Sequence, residues 1–239
     1  MLRKPDYLFA TLVVAMVGFF PLSAMSLGWF GNDLQGNPCK GGDQGFGPFD
    51  YFDINDPSDK LWQEGRLWEI DKVHYGKGKS HLAEKPLNNI NLRQAASEFN
   101  YTLRAIPNHP YALYSTIDLE MALREYVQKL KIPRLSFEDI VPPECYLQRA
   151  LVFRPKQAHV PLLFGLYLHK LGLREQALRY YKQSVELEPK NAETHYNMGL
   201  LYFDMRDYNN AKIHARQAYQ LGYPLPGLRK KLAGVGQWP

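Results

Sequence analysis

Residues 195–211 read HYNMGLLYFDMRDYNNA, and the placement of small and large apolar side chains in this stretch decides the fold. Gly199 and Ala211 are its small residues; Met198 and Tyr202 are its large ones. The spacing is not unique to this stretch. Gly165 precedes Gly199 by 34 residues, and Ala177 precedes Ala211 by 34. A fixed period of this length marks a stacked helical repeat, in which each unit buries its apolar face against its neighbours. With Ala158 and Ala192 as first positions, Phe164, Gly165 and Leu168 match Met198, Gly199 and Tyr202 on a first helix. Ala177, Tyr181 and Ser184 match Ala211, Ala215 and Ala218 on a second. Small residues let paired helices approach closely, and large ones fill the neighbouring groove. Pro189 closes the first unit, and Pro224 lies 35 residues beyond it. Proline cannot continue a helix and forces the turn.

Working outward, weaker copies precede this pair. Ala95, Phe99, Thr102 and Pro107 keep the small–aromatic–small–proline spacing of a second helix, and Ala150 with Pro155 repeats its end. Tyr111 to about Gln128 reads as a first helix, separated from its partner by the insertion KLKIPRLSFEDIVPPE, residues 129–144. A long loop inside a repeat is tolerated entropically and is a common place for partner contacts. From residue 88 onward no alternating strand run or hairpin signal occurs. After Pro224, PLPGLRKKLAG offers a short helix able to cap the last repeat. Residues 27–87 differ, being rich in Gly, Pro, Asp and aromatics. Their reading is an extended segment packed along the helices, with one further helix over Asp59–Tyr75.

Residues 158–224 thus resemble two consecutive tetratricopeptide repeats, 158–191 and 192–224. Pro161 and His195 depart from the pattern, standing where an aromatic is common, and Ala215 is small where a ring is usual. GPFDY at 47–51, NYTLRA at 100–105, HYNMGLLYFD and YPLPGLRKKL at 223–232 together resemble a family of uncharacterised exported bacterial tetratricopeptide proteins. The resemblance implies an all-α superhelix, residues 88–224, with an irregular N-terminal segment and a C-terminal cap over 225–239. It also implies a protein-binding groove lined by first-helix positions two, five, nine and twelve. Those are Tyr111, Tyr114, Asp118 and Met121; then His159, Leu162, Leu166 and His169; then Glu193, Tyr196, Leu200 and Phe203. The set lacks the Lys and Asn with which chaperone-binding members clamp a terminal carboxylate. Two occupants stand open: a peptide or helix of another protein, or the chain's own residues 27–87 or C-terminal helix.

The N-terminus reads as an export signal over residues 1–26. Arg3 and Lys4 precede the uncharged run Leu8–Phe20, Pro21 breaks it, and Ala24-Met25-Ser26 suits cleavage after Ser26. Thirteen apolar residues make a helix of about 20 Å, short of the roughly 30 Å hydrocarbon core. The alternative extends the segment through Trp29 and Phe30 as an uncleaved membrane anchor. Either places the remainder outside the cytoplasm, which for a bacterium is the periplasm. There Cys39 and Cys145 could pair, closing a loop worth up to about 4–5 kcal/mol in the chain-entropy model; the alternative is two separate buried thiols.

The chain has 239 residues, is 45% hydrophobic and 13% aromatic, and carries a net charge of +5. These values argue against wholesale disorder and against a polytopic membrane protein. Its densest basic cluster is Arg229, Lys230 and Lys231, too few for a nucleic-acid interface, which needs many cations together. No cofactor or metal is expected. Asp53–Asp59 lacks the glycine and terminal glutamate of a calcium loop and contains Pro57, so Asp50, Asp53, Asn55, Asp56 and Asp59 read as turn and cap residues. Gly45-Phe46-Gly47 lacks the lysine of a phosphate loop. The seven histidines show no ligand spacing; His195 and His214 read as separate groove or surface residues. Cys145 has no neighbour that lowers a thiol pKa. Asn100-Tyr101-Thr102 falls mid-helix and reads as chance. The expectation is a non-catalytic scaffold or assembly factor of the bacterial envelope. The alternatives are a membrane-anchored subunit of a secretion or pilus system and, third, an envelope hydrolase.

Overall fold

In the computed structural model of the chain, residues 27–42, 47–53 and 69–238 are described. The export segment, Phe46, the turn and cap candidates Asn55, Asp56 and Asp59, and the first part of the Asp59–Tyr75 helix lie outside them.

A π-helical turn, Glu69–Tyr75, runs directly into α1 (Gly76–Ala83). It is followed by α2 (Asn89–Ala105), α3 (Pro110–Leu130), a 3-10 turn (Arg134–Phe137), α4 (Pro143–Phe153), α5 (His159–Lys170) and α6 (Arg174–Leu187). The chain continues through α7 (Ala192–Asp204), α8 (Tyr208–Gln220) and α9 (Gly227–Gly234). Among the described residues there is no strand, so the fold is all-α. Short polar side chains start the helices, because the first backbone N–H groups need acceptors. Asn88 and Asn91 form a reciprocal cap on α2. Asn191 caps α7 and Asp207 caps α8. At α3 the ring of His109 takes this role ahead of Pro110, which needs no acceptor itself.

The helices stack as successive pairs, α1/α2, α3/α4, α5/α6 and α7/α8, with α9 against α7 and α8. Glycine permits the tight crossing. A Cβ on Gly165 would lie 2.6 Å from the Tyr181 ring, and one on Gly78 would lie 2.5 Å from the Phe99 ring. The α1/α2 pair therefore uses the same small-against-aromatic contact as the repeat at 158–191. Among the described residues of 27–87, Glu69–Tyr75 is helical within the helix expected at Asp59–Tyr75, and α1 extends it through a stretch expected to be irregular. One buried cluster runs from Leu103 through Leu147 and Phe164 to Leu201. A second holds Leu92, Phe99 and Leu123, and a third joins Tyr196, Ala211 and Ala215 to Leu228 and Leu232 of α9.

The insertion over 129–144 is not a free loop. Phe137 and Ile140 are buried in the second cluster, and Arg134 bonds the Phe137 carbonyl and Glu120. Two large apolar side chains anchor it, while residues 129–133, Ser136, Glu138 and Asp139 stay exposed.

The N-terminal segment is tied to α4. Cys39 and Cys145 form a disulfide. Beside it Gln148 donates to the Asn32 carbonyl, Glu144 accepts from the Leu34 N–H, and Arg149 donates to the Leu27 carbonyl. Asp33 closes the small loop between, accepting from the N–H groups of Gln35 and Asn37. Arg149 is the largest fully buried side chain among the described residues. It also donates to the carbonyls of Leu103 and Arg104 at the end of α2, and burial pulls its guanidinium down to about 10. At that value it remains charged at neutral pH.

Candidate functional site

The first helices α3, α5 and α7 lie side by side. Their common register sets Tyr111, His159 and Glu193 in one row and Tyr114, Leu162 and Tyr196 in the next. Asp118, Leu166 and Leu200 form a third row, and Met121, His169 and Phe203 a fourth. The chain itself covers much of this wall.

At the first row, Tyr51 meets Tyr111 edge-on at 6.2 Å, and Phe52 lies 5.1 Å from the ring of His159. Asp50 fixes this strap. It is buried and accepts hydrogen bonds from Asn108, from Arg154 and from the Phe52 N–H, which hold its carboxyl below the usual range against the effect of burial. Asp50 therefore does more than turn the chain: it joins the strap to the inter-repeat turns. His159 Nε2 donates to the Asn108 carbonyl, and burial lowers the pKa of the ring.

At the opposite end, α9 and its approach cover the wall. Tyr196 is only 7% exposed; its hydroxyl accepts from the Leu228 N–H and its ring stacks on Tyr223 at 4.2 Å. Leu200 and Phe203 pack against the Leu228–Leu232 cluster, with the Lys231 ammonium over the Phe203 ring. His169 pairs with Asp204, and Leu162 is buried in the core. Leu162 and Tyr196 thus differ from the expectation of groove exposure, the first through inter-helix packing and the second through the cap.

What stays exposed on the wall is Tyr111, Tyr114 and Glu193, with Asp118, Met121 and Leu166 half-buried. Tyr114 is 40% exposed. Burial raises the Asp118 carboxyl, with Lys170 acting against it. Burial also raises the Glu193 carboxyl. Burial together with the charges of Asp118 and Glu193 raises Tyr114. Tyr223 is pushed up to about 12 by burial, with Glu193, Tyr196, Tyr219 and Tyr114 adding to it.

Several polar sites had no signal in the sequence. Asp71 and His109 meet at 2.7 Å. His109 Nδ1 accepts from the Ala112 N–H, so Nε2 carries the proton and donates to Asp71. Burial keeps this ring neutral, while bonds from His109 and Lys72 lower Asp71 to about 2. His195 and His214, expected apart, face each other with Nδ1 atoms 3.0 Å apart, and His195 is buried. His195 Nε2 donates to the Pro189 carbonyl. Its Nδ1 is therefore the acceptor, and His214 the donor. They meet because the α7/α8 crossing is tight at Gly199. A cleft of about 670 Å³ opens between the N-terminal segment and α3. Its floor holds Glu144, which accepts from the Tyr167 hydroxyl, and Glu120, bonded by Arg124 and Arg134. Among the described residues, no group of three or more His, Cys, Asp or Glu could hold a metal ion. No described helix is long and apolar enough to cross a membrane.

A model described as TPR repeat matches residues 165–205, and one described as tetratricopeptide repeat matches residues 192–221. No curated protein matches the chain. Among solved structures, the pilF protein of Pseudomonas aeruginosa is 18% identical, with 71% of this chain and 69% of that chain covered and a TM-score of 0.49. TTC0263, a thermophilic TPR protein of Thermus thermophilus, is 21% identical over 73% of this chain and 94% of that one, with a TM-score of 0.42. MamA from Desulfovibrio magneticus is 17% identical over 70% and 92%, with a TM-score of 0.40. The 34-residue register, the glycine-mediated helix pairs and the two matched models agree: residues 165–221 of this chain are tetratricopeptide repeats.

Proposed function

We propose that this protein is a non-catalytic scaffold or assembly factor of the bacterial envelope, exported to the periplasm, and that it holds a peptide or helix of a protein partner in its groove. Tetratricopeptide repeats are in general protein–protein interaction modules. The observation that carries the finer reading is the set Tyr111, Tyr114, Asp118, Met121, Leu166 and Glu193, which the chain leaves exposed or half-buried. An apolar floor with a few polar points suits a short segment held by anchors and oriented by hydrogen bonds. The Cys39–Cys145 disulfide supports export, because such bonds persist in oxidising compartments.

The test is a photo-crosslinker at Tyr114 or Leu166 in the native cell. A discrete protein adduct, lost when Leu166 is changed to Asn and unaffected by a crosslinker on the far side at Ile213, supports the reading. Adducts that form equally from Ile213 sink it. N-terminal sequencing of the mature protein distinguishes a chain released at Leu27 from one still anchored by Leu8–Phe20.

A further inference from the structure

Of the seven histidines, His195 and His214 alone meet nitrogen to nitrogen; the other five each bond an oxygen. The Nδ1 atoms of the pair are 3.0 Å apart, the ring centres are 5.3 Å apart, and the ring planes differ by only 22°. Ring centres that far apart, with the nitrogens in contact, place the two imidazoles end to end and nearly in one plane. Each Nδ1 therefore points along the line to the other, and one proton lies between two ring lone pairs. The arrangement is held from both sides. His195 is buried, and its Nε2 donates to the Pro189 carbonyl at 2.9 Å. His214 is half-buried beneath the Tyr202 ring, which lies parallel to it at 5.4 Å, and its Nε2 makes no hydrogen bond among the described residues. Repeat packing does not ask for imidazoles here, because the equivalent positions one period earlier are Pro161 and Tyr180.

Two ring nitrogens aimed at one point make a linear, two-coordinate site. Zinc takes about four ligands and is not satisfied there. A monovalent ion with a filled d shell is, and imidazole is a suitable ligand for copper. A metal-binding histidine also donates its other ring N–H to a carbonyl or carboxylate, which fixes the tautomer; His195 does this to Pro189. We propose that His195 and His214 hold one Cu(I) ion between their Nδ1 atoms, in place of the shared proton. Metal–nitrogen bonds of about 2 Å set the two nitrogens about 4 Å apart. The pair therefore opens by about 1 Å, through His214, the less buried ring. The proton leaves His214 Nδ1 and one is taken up at its free Nε2, so both rings stay neutral. The ion arrives already reduced, and no electron is transferred.

The test is a competition for Cu(I) between the exported protein, its disulfide intact, and the chromophoric chelator bicinchoninate, with ascorbate and without oxygen. One ion per chain should pass to the protein. His214→Gln keeps a donor for His195, and it should weaken binding by more than the roughly 100-fold that loss of an outer partner can cost. His81→Gln, in α1, should leave binding unchanged. X-ray absorption at the copper edge should show two nitrogen neighbours and no sulfur; this reading comes from the parent chain and does not depend on how a variant folds. Zn(II) in equal amount should not displace the ion. The site is overturned by a protein that draws no Cu(I) from the chelator, by a sulfur neighbour, by undiminished binding in His214→Gln, or by displacement with Zn(II).

Discussion

At the scale of single residues, the buried polar groups are where measurement bites first. His214 is lowered to about 4 by burial and by neighbouring His195, against an unfolded value near 6.5. Below pH 6.5 the unfolded chain takes up a proton that the folded chain refuses until about pH 4. Stability therefore falls as pH drops across that window and is fully present above it. The ring is partly exposed, so solvent screening limits its share to on the order of 1 kcal/mol. Urea midpoints between pH 4 and 7 should fall with acidity, and His214→Gln, which can still donate to His195, should flatten that slope. The flattening is partial, because burial also lowers His109, His159 and His169. An unchanged slope would remove the pair as a contributor. Arg149 makes the second case. It bonds the final carbonyls of α2 and the Leu27 carbonyl from a buried position. Arg149→Met fills the volume but leaves those acceptors dry, at about 3 kcal/mol, read as a lowered unfolding midpoint. None of these polar contacts was visible in the chain order. His195 and His214 are nineteen residues apart, and only the α7/α8 crossing turns that separation into a hydrogen bond.

At the scale of elements, the close approach of paired helices rests on glycine. Gly165→Ala gains helix propensity of about 1 kcal/mol. It also drives a methyl into the Tyr181 ring, at 2.6 Å. Overpacking of that kind costs roughly 1–3 kcal/mol. The variant should be less stable than the parent by calorimetry, and a stabilised variant would show that α5 and α6 can separate freely. Gly78→Ala should behave alike, since Phe99 stands 2.5 Å from the added carbon. This equivalence explains why α1 escaped the sequence reading. The interval from Gly78 to Ala95 is longer than that from Gly165 to Ala177, so the period search passes over it, while the physical contact is the same. The helices at 158–224 were legible because their small and large residues repeat at fixed spacing. The anchoring of the insertion at 129–144 was not legible because Phe137 and Ile140 have no periodic partner in sequence; they pack on α2 and α3.

At the scale of the whole molecule, two devices close the array. The disulfide joins residues 106 apart in sequence. Loops of that size contribute up to about 4–5 kcal/mol in the chain-entropy model. Paired replacement Cys39→Ser with Cys145→Ser should lower the unfolding midpoint and expose the 27–42 segment to protease. Equal stability with and without the bond would mean that the contacts of Arg149, Gln148 and Glu144 suffice. The other device is α9. Truncation before Leu225 uncovers Tyr196, Ala211, Ala215 and Ala218, now shielded by Leu228 and Leu232. The truncated chain should self-associate in analytical ultracentrifugation, since an exposed apolar repeat face seeks a partner.

The sequence by itself determined the all-α repeat, because spacing along a helix dictates which side chains share a face. It also made the Cys39–Cys145 pairing and the self-covering of the groove open alternatives. The tertiary structure decided the first, since the cysteines bond, and it sets Tyr51 and Phe52 beside Tyr111 and His159 and packs α9 on Tyr196, Leu200 and Phe203. Only it could do so, because these contacts join segments with no common period. Whether they meet depends on how the stacked helices curve through space.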